Sequence, residues 1–571
     1  MTRPPLGRLV ALLCVMSLAL GAIFVRLTIL QVSQAADLRD RAADQRVRTI
    51  VLPAARGQIL DRTGERLALS MPARDVYADP RYVVDPWETA TRLAPILEER
   101  PRVLDALLRE DTTFVYVARQ VDLDVAERIA EMELAGIGFL DVTKRSYPAG
   151  DLAGQVLGFV GVDGVGLAGL ELEYQDLLAG RPGERTQELD PYGQPIVGGV
   201  DVGQPPVAGS SIETTIDRDL QFQAQAALEQ VVREQHARGG TVVVMDPRSG
   251  DVLAMASYPW FDPNAFTEAK PATFRNRSVT DMFEPGSTNK VITAAVAVET
   301  EALPLDHRLS VPWTMPVGEF TIHDSHPHGV LRMTLGDVIA ESSNIGTVQV
   351  ANLVGETNMA SYLWRFGLGR PTGIGFPGEA SGITLPVSQW TDTTLATAAY
   401  GQGLAATPLQ MISVYATIAN GGRWVQPRLV RATIDEDGIR HEAPRSPVRR
   451  VISAASAEMV SRMLAYAVDH GTGTNARIEG YQIAGKTGTA RIPRTDRPGY
   501  LEGEYVASFI GFLPAGDPEV VIAAIVDRPA QGYGSLAAAP LFQRVARAAI
   551  ARLGIEPGEP LSLPPHALPV G

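Results

Sequence analysis

A serine and a lysine three residues apart, in the stretch "MFEPGSTNKVITAAVAVE" from Met282 to Glu299, form the pair in this chain best suited to covalent chemistry. Positions i and i+3 share a helix face, so the Lys290 amine can reach the Ser287 hydroxyl once the segment is helical. A serine hydroxyl needs a base to become a nucleophile. A lysine serves if burial lowers its pKa until it is neutral, and the apolar run "VITAAVAV" would bury this helix. Taken alone, Ser-x-x-Lys occurs on many helices, and a helix start capped by Ser287 is its commoner meaning.

Two further clusters supply what such a nucleophile needs. In "IAESSNIGTVQVA", Ser342, Ser343 and Asn344 stand at a junction of helical segments. A Ser-x-Asn there offers a hydroxyl for proton transfer and an amide to hold a substrate carbonyl and the lysine. Its plainer meaning is a capping loop. In "YQIAGKTGTARI", Lys486, Thr487, Gly488 and Thr489 lie in a strand-like context. The internal glycine suggests close approach of another backbone. A strand edge with a lysine and two threonines suits a peptide that adds as a strand and presents a carboxylate.

The elements around these clusters follow from their patterning. "TVVVMDPRSGDVLAMAS" reads as a hairpin turning at Pro247 to Gly250, and "YVASFIGFLPAGDPEVVIAAIVDRP" repeats it with a turn at Ala515 to Pro518. A final helix is predicted over Ala539 to Gly554. Upstream, "ARGQILDRTGERLALS" reads as strand, turn at Thr63-Gly64, strand. The glycine-punctuated run from Val156 ends in a helix closed by Gly180. "SSIETT" is extended, and Asp217 caps a helix with Leu220, Ala224 and Leu228 on its apolar face. Strands at both ends of the C-terminal half with helices between them predict an α+β layout.

Bulk properties narrow the function. The 571 residues exceed one ordinary core and suggest about three or four domains. A net charge of −14 argues against nucleic acid as a partner, which calls for a basic face. The single cysteine, Cys14, excludes an intramolecular disulfide and Cys-based metal or redox motifs. No glycine-rich phosphate loop is present, and nothing calls for a cofactor. Leu9 to Val32 is long and apolar enough to span a bilayer, which takes ~20 residues. It exceeds the ~7–15-residue core of a cleaved signal peptide, although "SQA" after it would be a passable cleavage site. Arginines flank the span on both sides, so charge does not set its orientation. Asp37 to Arg48 reads as a short juxtamembrane helix, and the proline-rich stretch from Glu556 as a frayed tail. "HDSHPHG" holds three of the eight histidines. With only Asp324 beside them it reads as an ordered loop, not a metal site.

In chain order, Ser-x-x-Lys, Ser-x-Asn and Lys-Thr-Gly form the three-part signature of penicillin-binding proteins and β-lactamases, and this chain resembles that superfamily. "RGQILDRTGERLA", the segment around "RSYPAGDLAG", and "TIDRDLQ" resemble the non-catalytic pedestal of class B penicillin-binding proteins. "FEPGSTNK", "ESSNIG", "YGQG" and "AGKTGTA" resemble their transpeptidase domain. The compact one-span layout is more similar to the division-type, FtsI-like group than to elongation-type relatives. The resemblance implies a serine D,D-transpeptidase that cross-links peptidoglycan stem peptides during septal wall synthesis and is a target of β-lactams. It implies Ser287 as the acylated nucleophile, Lys290 as its base, and Ser342 and Asn344 as proton relay and positioning groups. Lys486, Thr487 and Thr489 would hold the substrate carboxylate on the strand containing Gly488, and the N–H groups of Ser287 and Thr489 would form the oxyanion hole. No cofactor and no metal are implied. The catalytic domain would lie outside the cytoplasmic (inner) membrane of a bacterium. No glycosyltransferase-like domain is evident before residue 235, so an FtsW-like polymerase and other divisome membrane proteins are the implied partners. The expected organisation is a cytoplasmic tail at 1–8, a transmembrane helix at 9–32, a juxtamembrane segment and pedestal (dimerisation-like) domain at 33–235, a transpeptidase domain with an antiparallel sheet sandwiched by helices at 236–554, and a tail at 555–571.

Ser343 stands where class A β-lactamases carry Asp, and no Glu-x-x-Leu-Asn segment offers a deacylating glutamate. Both disfavour a β-lactamase. The alternatives are an elongation-type transpeptidase, a D,D-carboxypeptidase or β-lactamase-like hydrolase, and an inactive divisome scaffold. Product analysis with an amine acceptor separates the hydrolase, and the intact motifs weigh against the scaffold.

Overall fold

The computed structural model describes residues 6–35, 46–188, 196–197, 201–494 and 496–564. Most of the expected juxtamembrane helix, at residues 37–45, and the end of the C-terminal tail lie outside the described residues. Two compact units result, one of residues 1–55 with 180–208 and the other of residues 56–179 with 209–571.

In the first unit, α1 (Leu6–Thr28) continues through a π-helical turn at Ile29–Ser33. These 28 residues are apolar and unburied, and long enough to cross a membrane. At ~1.5 Å per residue they would reach ~42 Å, against a ~30 Å hydrocarbon core. Val47–Leu52, Gly183–Glu188 and Asp201–Gln204 form an antiparallel three-stranded sheet in the same unit.

The second unit is built on a five-stranded antiparallel sheet. Its strands are β1 (Gly239–Met245), β2 (Val252–Tyr258), β3 (Ala484–Pro493), β4 (Tyr500–Leu513) and β5 (Val520–Asp527), in the order β2-β1-β5-β4-β3. Both predicted hairpins are present. β1, β2, β5 and the Ala507–Leu513 half of β4 read as largely apolar runs because both sheet faces are buried there. Val242 and Val244 enter one core with Leu220, Leu228 and Phe542, while Val243 and Met245 enter the other with Val291 and Ile292. α2 (Arg218–Glu234) starts where expected, with the Asp217 carboxylate accepting from Leu220 N (3.1 Å). On the same side lies α9 (Gly534–Leu553). It begins five residues before the predicted start and passes through Pro540. Burial of Ala537, Ala538 and Ala539 against the sheet outweighs the helix-breaking cost of that proline. The other face is covered by α3 (Lys290–Glu299), α4 (Leu335–Ala340), α5 (Asn344–Val354), α6 (Glu356–Phe366), α7 (Pro408–Ala419) and α8 (Ala454–His470).

A second sheet runs Arg440–Glu442, Val430–Ile434, Ser211–Thr214, Ile59–Leu60, Arg66–Ala78, Val115–Asp122, with Ile137–Ser146 also on Arg66–Ala78. The strand-turn-strand predicted around Thr63-Gly64 is thus part of a sheet that also takes in strands beyond residue 430. Beside it, the fully buried Glu171 carboxylate accepts from Arg56 Nε (2.6 Å) and Arg145 Nε (2.7 Å).

Candidate active site

Ser287 lies in a 3₁₀ turn, Gly286–Asn289, that feeds directly into α3. The turn needs a glycine at 286, where φ is +54°. It is tied down from several directions. Gly286 N donates to Gly401 O (3.0 Å), Asn289 Nδ2 to Ala398 O (2.8 Å) and Tyr415 OH to Thr288 O (2.9 Å). Ser287 is partly exposed, whereas Thr288, Asn289 and Lys290 are buried. The Ser287 side chain is therefore open on a fixed base.

Lys290 is fully buried, and its Nζ meets Ser342 O at 2.5 Å, Asn344 Oδ1 at 2.8 Å and Ser342 Oγ at 3.3 Å. Burial drives its pKa well below the ordinary lysine value, and the nearby Lys486 pushes it further, against an opposing pull from Asp324. A neutral amine has two N–H donors and one lone pair. The two carbonyl-type oxygens occupy the donors, so the lone pair is left for a hydroxyl proton. Once protonated, the third N–H has Ser342 Oγ as its acceptor. Ser342 aims both oxygens at the lysine from a left-handed backbone conformation (φ +59°), a strained state for a non-glycine residue that surrounding structure must hold.

That holding comes from Asp324, which the motif pattern does not single out. Its buried carboxylate accepts from Asn344 N (2.6 Å), Ile345 N (3.1 Å) and Ser343 Oγ (2.7 Å) at the start of α5. A negative charge there also complements the helix dipole. Asn344 Nδ2 donates to His323 O (3.0 Å), and His328 Nε2 lies 3.1 Å from Asp324 Oδ2. The histidine loop thus braces the Ser-x-Asn turn. Among the described residues no group of three or more potential metal ligands is assembled.

Lys486, Thr487, Gly488 and Thr489 lie on β3, the edge strand beside the Ser287 turn. Gly488 makes that approach possible, since a Cβ there would stand 2.9 Å from Thr288 Cγ2 and 3.2 Å from Pro285 O. Lys486 is fully buried, and burial lowers its pKa to about 7 against an upward pull from Glu341. Its Nζ meets Thr487 O (3.2 Å), Thr487 Oγ1 (3.3 Å) and Thr472 Oγ1 (3.4 Å). Thr472, which no motif marks, also bonds Thr487 Oγ1 (2.9 Å), and its N donates to Ala340 O (3.2 Å) at the end of α4. Thr489 Oγ1 accepts from Gly534 N (3.0 Å), which leaves its own proton free. Glu284, just before the nucleophile turn, accepts from Gly403 N (3.0 Å) and Tyr500 OH (3.1 Å). Burial raises its pKa.

Residues 240–547 match the family described as the penicillin binding protein transpeptidase domain. This chain belongs to the penicillin-binding proteins. Residues 51–214 of this penicillin-binding protein match the penicillin-binding protein dimerisation domain. The chain is 38% identical to the penicillin-binding protein PbpB of Mycobacterium tuberculosis, over 94% of this chain and 84% of that protein. It is 33% identical to the peptidoglycan D,D-transpeptidase FtsI of Escherichia coli, over 96% and 92% respectively. The crystal structure of penicillin binding protein 3 from Mycobacterium tuberculosis with aztreonam superposes with a TM-score of 0.72 at 33% identity, covering 90% of this chain and 99% of that one. Together the two family matches and these relatives make it a class B member.

Proposed function

We propose that this chain is a peptidoglycan D,D-transpeptidase of septal cell-wall synthesis, working through a serine acyl-enzyme, and a target of β-lactams. The observation that carries the proposal is the buried Lys290 amine, held by Ser342 O and Asn344 Oδ1 one helical turn after Ser287. Ser287 Oγ attacks the carbonyl of the penultimate D-alanine of a stem peptide and gives its proton to Lys290. The N–H groups of Ser287 and Thr489 stabilise the oxyanion. The C–N bond breaks as the proton passes by way of Ser342 Oγ to the leaving D-alanine nitrogen. An amine from a neighbouring stem then attacks the ester and passes its proton by way of Ser342 Oγ to Lys290, which returns it to Ser287 Oγ as the ester C–O bond breaks. Asn344 positions the donor peptide, which lies along β3 with Gly488 at its back. Lys486, Thr487 and Thr489 hold its terminal carboxylate. A β-lactam opens on Ser287 by the same first step.

In this proposal the α1 span anchors the chain in the bacterial inner membrane, with the catalytic region outside, where the substrate is. Residues 33–235 act as the juxtamembrane segment and pedestal and residues 236–554 as the transpeptidase domain. An FtsW-like polymerase and other divisome membrane proteins are its proposed partners. The test is incubation of the full-length protein with a fluorescent penicillin, with and without Ser287→Ala, followed by peptide mapping and by product analysis with a stem pentapeptide and an amine acceptor. A stable adduct on Ser287 and a cross-linked product are expected. Rapid drug turnover with only hydrolysed peptide would replace the transpeptidase with a hydrolase.

A further inference from the structure

Away from the acylation site, the C-terminal end of α6, the start of α7 and the paired strands Arg423–Val425 and Val448–Arg450 border a cavity of about 170 Å³. Its wall includes Arg370, Arg449 and Trp424. Arg449 stacks over the Trp424 ring at 4.3 Å and Arg370 over Trp364 at 4.0 Å. Stacking covers the faces of the guanidinium groups and leaves their hydrogen-bonding edges available. Arg449 Nη1 donates to Arg365 O, but Arg449 Nη2 and Trp424 Nε1 are buried without any partner. Both orphans converge beside Gly367, another residue of the cavity wall, where an added Cβ would stand 3.5 Å from Trp424 Nε1 and 3.6 Å from Arg449 Nη2; buried donors are nearly always satisfied in folded proteins, so the pair points to a missing acceptor.

The charges point the same way. Burial, then Arg370 and Arg365, pull the Arg449 pKa down to about 10, with no carboxylate pulling it up. Arg370 is likewise lowered by burial alone. The Glu379 carboxylate is engaged by Thr372 N, Thr372 Oγ1 and Gly373 N. We propose that this cavity is a binding site for a compact oxyanion of the phosphate class, held by Arg449 Nη2, the Arg370 guanidinium and Trp424 Nε1. Its volume equals about five or six waters at ~30 Å³ each, enough for a phosphate with part of its hydration shell. Three separate donor groups suit a tetrahedral anion better than a planar carboxylate, and guanidinium groups bind phosphate oxygens bidentately. Free phosphate and a phosphoryl group carried on a larger molecule share this chemistry.

The test is titration calorimetry of the full-length protein in detergent and chloride-free buffer, with inorganic phosphate, glycerol 3-phosphate and acetate. Saturable one-to-one binding of phosphate is expected, weakened at least tenfold by Arg449→Gln and by Arg370→Gln. Penicillin acylation of Ser287, retained in each variant, reports that it folds. Arg370 is the less buried of the two and keeps the test usable if the Arg449 variant does not fold. Glycerol 3-phosphate binding as tightly as phosphate would assign the site to a carried phosphoryl group, and weaker binding would assign it to the free anion. No saturable binding, unchanged affinity in both variants, or acetate binding as tightly as phosphate would overturn the proposal.

Discussion

Replacing Asp324 by Asn separates two effects of one carboxylate on the acylation site. Asp324 Oδ1 takes the Asn344 and Ile345 N–H groups and Oδ2 takes the Ser343 hydroxyl. Asn keeps one acceptor but turns an NH₂ toward Ser343 and removes the charge from the start of α5. A hydrogen bond to a charged group contributes about 1.5–3 kcal/mol, and a charge at a helix N-terminus about 0.3–1 kcal/mol. The variant should therefore lose roughly 2–4 kcal/mol of local stability, concentrated where Asn344 Oδ1 holds Lys290 at 2.8 Å. A displacement of about 1 Å at such a contact can cost about 100-fold in rate. The second effect has its own direction. Asp324 is the group that pulls the Lys290 pKa up against burial and Lys486. Without it the pKa falls further, and the neutral base persists to lower pH. Stopped-flow acylation by a fluorescent penicillin, measured across pH, should show a plateau about 10–100-fold lower and an acid limb moved to lower pH. An unchanged plateau would refute the bracing role, and a limb moved to higher pH would refute the electrostatic one.

Other outcomes follow from the same geometry. The Lys486 pKa is lowered to about 7, so its ammonium is lost as pH rises through that value. The second-order acylation rate of a carboxylate-bearing β-lactam should fall on that alkaline side, while a carboxylate-free analogue shows no such limb; identical profiles would remove Lys486 from carboxylate binding. In Gly488→Ala the new Cβ would stand 2.3 Å from Ser508 Oγ and 2.9 Å from Thr288 Cγ2. Overpacking of this kind costs about 1–3 kcal/mol, and both thermal stability and acylation should drop; wild-type acylation would mean that β3 and the Ser287 turn need not touch. Glu171→Gln leaves Arg56 and Arg145 without their buried counter-charge. Chemical denaturation should show a loss of about 3–5 kcal/mol, and a loss below about 1 kcal/mol, the scale of an exposed ion pair, would contradict the burial of this triad.

Patterning revealed the elements that are local in cause. β1, β2, β5 and the second half of β4 are apolar runs bounded by Pro and Gly turns, and Asp217 announces α2 three residues before its first buried leucine. Ser287, Lys290, Ser342, Asn344 and Lys486 could be named because each motif is a short spacing with its own chemistry. Asp324 could not be named that way. It lies 20 residues before Asn344 in sequence, and two of its partners are backbone N–H groups, which carry no residue signal. Thr472 is hidden for the same reason, since it reaches Lys486 only after α8 has turned the chain back onto β3. The early start of α9 is a packing effect, decided by alanines meeting a sheet that a linear pattern does not contain.

What keeps the two lysines in different protonation states is a tertiary fact. The spacing to Ser287 makes Lys290 the candidate base, but no motif says what would keep it neutral and Lys486 charged. In the fold both are fully buried, and close enough that Lys486 lowers the Lys290 pKa. Two ammonium groups in one dry site repel each other, so their protonation is coupled. In the proposed reaction the lysine one helical turn after Ser287 is the base, and the one on the edge strand keeps its charge for an anion. Lys290 is depressed by burial and by its neighbour together, whereas Lys486 stops at about 7 with Glu341 supporting its charge. A substrate carboxylate arriving at Lys486 would stabilise that ammonium further, and the ammonium in turn keeps Lys290 neutral. Substrate binding would thus prepare the base, so the acid limb for a carboxylate-bearing substrate is set by the pair and not by Lys290 alone.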